Sequence, residues 1–487
     1  MKLLNKFGFL LPILAAAYTV LSLWSINSNR TSLLDLLLPL GLAILLSIVI
    51  WGIVHILPAL GKSSLPSTMK DNVNIFAAIV TVIILLWGTF PNPYIPPEIL
   101  AVTSLFCMFF SFKKAVPALI MFLLVLNLVA LGQGTLATTK TPAVEEASRL
   151  VIGQANTVSM NDDVNSTATA LPDIYFIIPD RMPSIAAELE DGFTGATAFQ
   201  QSLENLGFQV WPDSLSSDPL KNTQMTGTAT TRTQRFVASA LNYGAPVTIN
   251  LSYKAAMGMI QYPKVAADLK ANGYKYYEIG SWWPVTATSP SADYNFPFHI
   301  NALADAVNSS FASTAFNRTL LGWTGMSLTG IVRDTYAVEA ARQAYQIQTI
   351  EDIATGEIPQ AQNTSPKFTF MHLLLPHPPY IWTADGQQRN PATPDKQAYL
   401  DQIEYASTQI TKLATNLRAM DPTAIIIIEA DEGMAYPDPQ DRALNQAEDN
   451  TEWNGTLSAW YVPFNTVGIS ITQILGDAAS YAESLNK

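Results

Sequence analysis

The sequence predicts an α/β chain in two parts: an N-terminal bundle of about five transmembrane helices, then an exported domain on a mainly parallel central sheet. Three observations predict this. Apolar stretches of near-bilayer length crowd the first 134 residues, and from residue 172 short apolar runs alternate with segments of helical spacing. Charge is divided as well: residues 1–134 carry 7 Lys/Arg against 3 Asp/Glu, which leaves 20 and 36 for the rest. The expected organisation is a transmembrane domain at 1–134, a linker at 135–171 and an exported domain at 172–487.

The apolar stretches lie at about 7–26, 33–58, 73–91, 98–112 and 115–133. Most approach the ~20 residues that cross a bilayer core. The fourth, "ILAVTSLFCMFFSF", is the shortest. The first contains small residues in "ILAAAYTV", but its apolar run continues past them, so it reads as an uncleaved anchor. Threading five spans from an inside N-terminus leaves Lys2, Lys6, Lys62, Lys70, Lys113 and Lys114 on the cytoplasmic side and Arg30 outside, the asymmetry of loops near membrane helices. An odd number of spans exports everything after residue 134. The expected location is a bacterial inner (cytoplasmic) membrane, multi-pass, with the C-terminal domain periplasmic or extracellular and the lipid bilayer as a partner. His55 lies near a span end, and no ionisable residue sits mid-span, which disfavours a transport path.

The acidic second part argues against a nucleic-acid partner, because phosphate binding needs clustered cations. The single cysteine, Cys107, falls in an apolar run and rules out a disulfide framework or a thiolate metal site. Residues 134–171 are rich in Thr, Ala, Ser and Asn and read as a linker with one short amphipathic helix around 143–153. Beyond it, "DIYFIIPD", "YKYYEIGSW", "KFTFMHLLLPH" and "AIIIIEAD" read as buried strands. "ATAFQQSLENLG", "YPKVAADLKANG" and "DKQAYLDQIEYASTQITKLATNLRAM" show helical spacing.

In a parallel sheet, ligands bind beyond the carboxyl ends of the strands. Here two strands end in acid, one at Asp180 and the other in "IIIIEADEG", where Glu429, Asp431 and Glu432 follow within four positions. A helix N-cap is the alternative role for a single such Asp. Two acidic strand ends point to a hard cation held by oxygen ligands.

Several motifs occur in one order: "LPDIYFIIPD", "FQQSLENLGFQVWPDS", "TRTQRFVASALN", "LKANGYKYYEIGSWWP", "FMHLLLPHPPYIWTADG", "AIIIIEADEG" and "LSAWYVP". Together they resemble the membrane-anchored bacterial branch of the alkaline phosphatase/sulfatase superfamily, over most of 172–470. The resemblance implies an alkaline-phosphatase/sulfatase-like fold in which a metal holds the leaving phosphate or sulfate beside a hydroxyl nucleophile. It implies Asp180 and Asp431 as metal ligands and Thr233 as nucleophile, with Thr231 its nearest competitor. A metal-bound Thr is chemically sensible, since coordination lowers the hydroxyl pKa. His377, in "LPHPPY", is placed by the match as a phosphate- or substrate-contacting group or a partner of a metal ligand, whereas His372, inside the strand, reads as packed. Arg232 and Arg235 flank Thr233 and could neutralise a transferring phosphate. Trp282 and Trp283 could line a headgroup or sugar pocket, with core packing as the alternative.

One departure stands out: the family's Asp-His-Gly is Asp431-Glu432-Gly433 here. With Glu432 as a ligand, the set Asp180, Asp431, Glu432 and Thr233 is all oxygen, which favours one Ca²⁺, Mg²⁺ or Mn²⁺ over Zn²⁺. Two readings follow. One is a metal-dependent phosphoryl or phosphoalkyl transferase or hydrolase acting on envelope glycolipid or glycopolymer through Thr233. The other is a catalytically impaired pseudoenzyme of the same fold, serving as an envelope binding or assembly partner.

Overall fold

A computed structural model describes residues 9–27, 33–60, 77–81, 85, 116–139, 171–214, 232–244, 253–283, 285–299, 312, 315–316, 319, 335–389, 396–433, 455–463 and 474–485. The chain divides into two compact units. One comprises Met1–Thr141 with His299–Thr335, the other Pro142–Phe298 with Tyr336–Lys487.

In the first unit, α1 (Leu10–Asn27), α2 (Leu33–Leu60) and α3 (Val116–Thr139) are apolar along nearly their whole length. α1 packs on both α2 and α3, around Ala16, Val20, Trp24 and Leu36. Large apolar side chains such as Leu45, Ile53, Phe122 and Leu128 stay exposed. A soluble core helix would bury them, whereas a lipid-facing one need not. Asn127 of α3 donates to Leu14 O of α1 at 3.0 Å, a polar tie between two apolar helices.

Two helices, not five, are long and apolar enough to cross a membrane among the described residues, with windows at Leu36–Ile53 and Val116–Gln133. The first expected span is α1, whose apolar stretch Leu10–Ser25 is shorter. The third expected span is described only at 77–81 and 85, which are helical, and the fourth, 98–112, lies outside the described residues. Ala315, far along the chain, packs against the helical cluster of Trp24 and Leu36.

The second unit holds a seven-stranded sheet: β1 (Ile174–Pro179), β2 (Gln209–Val210), β3 (Lys275–Ile279), β4 (Tyr294–Phe296), β5 (Lys367–Leu373), β6 (Ile425–Glu429) and β7 (Ser458–Tyr461), in the order β2-β7-β6-β1-β5-β3-β4. The five strands from β6 to β4 are parallel, whereas β7 and β2 add an antiparallel edge. β1 and β6 are buried at every position. Strand alternation sends Tyr175, Ile177, Ile426 and Ile428 to one core and Ile174, Phe176, Ile178, Ile425 and Ile427 to the other. Each such isoleucine contributes roughly 2 kcal/mol of burial.

Helices cover both faces. α4 (Ile185–Glu190), α5 (Ala196–Asn205), α9 (Thr335–Thr355) and α10 (Lys396–Met420) supply the first core. α6 (Arg232–Ala240), α7 (Tyr253–Gln261), α8 (Lys264–Ala271) and α11 (Ile474–Ser484) supply the second. The result is a three-layer α/β/α arrangement with β1 at its centre. Asp173 fixes the entry to the central strands. Its carboxylate accepts from Lys367 N at 2.7 Å, and its carbonyl accepts from Ile425 N at 2.8 Å.

Candidate metal centre

The carboxyl ends of three neighbouring strands, β6, β1 and β5, converge. Asp180 directly follows β1, and its N–H continues the ladder by donating to Leu373 O at 2.9 Å. His372 lies on β5, in register with Ile178. Asp431 stands two residues beyond β6. All three are buried, and a ligand atom from each lies within 4.8 Å of the others. His372 Nε2 is 3.3 Å from Asp180 Oδ2. The assignment of His372 to packing alone is therefore corrected: its ring faces the acids. A histidine one position before the end of a mostly apolar strand was the available signal.

Thr233, in the first turn of α6, lies close enough to the Asp431 carboxyl to favour its ionised form. The structure thus gathers Asp180, Asp431, Thr233 and His372. Burial, and then the charge of Asp180, pushes Asp431 up to about 6, against the pull of His372 and Thr233. Asp180 resists its own burial and sits below the usual carboxylate range, held there by His372, His377 and Arg181.

The three acids at and beyond the end of β6 take three directions. Glu429, the last residue of the strand, accepts from the Trp460 indole at 2.9 Å. Asp431 turns to the centre. Glu432 lies 2.8 Å from Arg181 Nε and is not one of the three residues whose ligand atoms converge.

His377 lies on the loop after β5, near enough to feel the charges of Asp180, Arg181 and Glu432. Its Nδ1 is 2.6 Å from Pro378 O. A carbonyl only accepts, so Nδ1 carries the proton and Nε2 keeps its lone pair. Burial pulls His377 below the ordinary histidine value. Trp282, 41% exposed, meets the His377 ring edge-on, with centroids 5.7 Å apart. Trp283 meets the His372 ring likewise at 5.5 Å. Arg235 is buried on α6. The Arg232 side chain and Thr231 lie outside the described residues.

Three buried glutamines, silent in the sequence, hold these loops. Gln402 of α10 accepts from Ile381 N at 2.7 Å, and its amide donates to the carbonyls of Pro376, His377 and Pro379. Gln346 of α9 donates to His372 O at 2.8 Å and to Gly280 O at 3.2 Å. Gln343 donates to Leu374 O and accepts from the Trp382 indole. Gly280 lets the Trp282 loop pass close, since a Cβ there would sit 2.3 Å from Ala287 O. Thr286, on the same loop, meets His372 Nδ1 at 3.0 Å.

The donor set fits a metal ion. Asp180 Oδ1, Asp431 Oδ2 and His372 Nε2 are buried without a hydrogen-bond partner, and unpaired buried acids facing one another are costly. A cation among them would satisfy all three. With His372 present the group is no longer all oxygen, and that was the premise for placing Ca²⁺ or Mg²⁺ ahead of Zn²⁺.

No family model matches the sequence, and no curated protein does. In fold, the chain is similar to the C-terminal periplasmic domain of EcEptC from Escherichia coli in complex with Zn, at 13% identity over 66% of this chain and 86% of that one, TM-score 0.39. It is also similar to the lipoteichoic acid synthase LtaP from Listeria monocytogenes, at 10% identity over 66% and 72%, TM-score 0.36. The integral membrane protein lipooligosaccharide phosphoethanolamine transferase A (EptA) from Neisseria meningitidis is similar at 9% identity over 94% and 91%, TM-score 0.36.

Proposed function

We propose that this protein is a membrane-anchored, metal-dependent phosphoryl or phosphoalkyl transferase or hydrolase acting on envelope glycolipid or glycopolymer, with Thr233 as nucleophile. The observation that carries the reading is the buried group Asp180, His372 and Asp431, each with an atom that lacks a hydrogen-bond partner, and Thr233 close beside Asp431. Asp180, His372 and Asp431 would hold a divalent cation. An Asp₂His set suits Mn²⁺ or Zn²⁺. When bound, that cation would supply charge neutralisation at the reacting oxygens.

The chain's own residues do the rest. Asp431 orients the Thr233 hydroxyl and draws on its proton. Thr233 Oγ bonds to phosphorus while the bond from phosphorus to the leaving oxygen breaks, and a second hydroxyl or water then reverses the exchange. The first turn of α6 places the developing negative charge at a helix N-terminus. His377 Nε2 and the exposed Trp282 border the entrance, where a headgroup or sugar would lie. The apolar helices α2 and α3 anchor the chain in the membrane, and the odd number of spans expected from the sequence would put the second unit on the periplasmic or outer side.

Thr233→Ala is expected to lower turnover of a phosphomonoester or phosphodiester by roughly 10³-fold or more. In the parent protein, mass spectrometry should find a phosphorylated peptide containing Thr233. Turnover that persists in Thr233→Ala would exclude the covalent route. One observation favours the pseudoenzyme reading: Arg181 already places a cation beside these acids. Under that reading the purified protein shows no turnover, whether it is metal-free or holds a metal only as a structural clamp.

A further inference from the structure

Arg181 follows Asp180 directly, and its backbone is left-handed at φ 65°, uncommon for a residue with a Cβ. Such outliers concentrate where function constrains the chain. The turn aims Arg181 N–H at Asp431 Oδ1, 3.2 Å away. It also brings Nε to 2.8 Å from Glu432 Oε1 and 3.9 Å from Asp180 Oδ1. The side chain is 24% exposed, so it borders both the buried acids and solvent. Nε, though near Glu432, is not aligned as a hydrogen bond.

We propose that Arg181 is the anion-binding residue of the centre, taking the nonbridging oxygens of the substrate's phosphate, and that Glu432 aims it rather than ligating the cation. The inference rests on the phosphoryl-transfer reading. Charge supports it. Asp180, Asp431 and Glu432 against Arg181 leave the cluster two units negative, which one dication cancels. An incoming phosphate then needs donors that no ligand consumes. A guanidinium braced by a carboxylate at Nε still presents its terminal nitrogens as a fork matched to two phosphate oxygens. Glu432 thereby has a role that explains why a glutamate stands in this position. It fixes the arginine, while the nitrogen ligand comes from His372 instead.

The test uses the full-length protein in detergent, with inorganic phosphate as the calorimetric probe and elemental analysis for bound cation. Arg181→Gln should weaken phosphate binding at least tenfold while cation content stays at the parent level. Arg181→Lys should weaken it less, because a point charge remains but the fork is lost. Glu432→Gln should retain the cation and weaken phosphate binding severalfold. Parent-like phosphate affinity in Arg181→Gln, or loss of the cation in Glu432→Gln, overturns the proposal. If Arg181→Gln does not fold, Arg181→Lys decides: parent-like affinity there overturns it. A parent protein that takes up no cation overturns the phosphoryl-transfer reading instead. Arg181 is then judged by whether phosphate binding to the metal-free protein still falls in Arg181→Gln.

Discussion

Buried acids inside the strands and buried acids at the strand ends live in different surroundings. Glu278 within β3 and Glu429 within β6 are fully enclosed, yet each meets an aromatic donor: the Tyr276 hydroxyl for Glu278, and the Trp460 indole at 2.9 Å for Glu429. Burial drives Glu278 up to about 8 and Glu429 well above the ordinary glutamate value, which favours the neutral acid in both. At the strand ends, Asp180 and Asp431 meet each other, His372 and Arg181, and Asp180 is held below the carboxylate norm. Burial alone neutralises an acid. Opposed acids that stay ionised require a positive partner, and that difference separates the centre from the core.

The largest test of this contrast is Asp431→Asn. It should cost more cation affinity than the roughly 100-fold typical of losing a partner of a metal ligand, while Glu429→Gln leaves cation content unchanged; a metal titration of both variants checks this. Equal losses would erase the distinction. Next in size is the response to pH and metal together. Cation affinity should fall as pH drops through about 6, where protons compete for Asp431. At neutral pH a cation at one hundred times its Kd should add about 2.7 kcal/mol of stability, read as a higher Tm than in chelator. The smallest effect concerns Glu278. Its folded-state pKa is raised, so its contribution is complete below the unfolded value of about 4.3 and is lost as pH climbs through about 8. Glu278→Gln should therefore flatten part of the decline in Tm between pH 5 and 8. An unchanged slope would show that Glu278 ionises normally.

Much of this could be read from the residues. The all-apolar runs at 174–179 and 425–428 became the central strands, and the acids that end them, Asp180 and Asp431, face one another across adjacent strands. What escaped were relations that exist only once the strands are ordered. His372 looks like filler until β5 lies beside β1, and only then does its Nε2 face Asp180. The sequence also gives no sign that the left-handed turn at Arg181 brings a guanidinium to Glu432. Gln343, Gln346 and Gln402 sit in helical spacing with nothing to mark them, because their value is in carbonyls offered by distant loops. Of the five expected spans, one stretch falls outside the described residues and another is described only in part.

Because β1, β5 and β6 each position one member of the centre, no fragment that lacks any of these strands can assemble it. Asp180 is made early, His372 much later and Asp431 later still, so a nascent chain halted before the last of them offers an ion nothing lasting. Capture of a cation would therefore report that synthesis has passed Asp431 and that the sheet has closed around its middle strand.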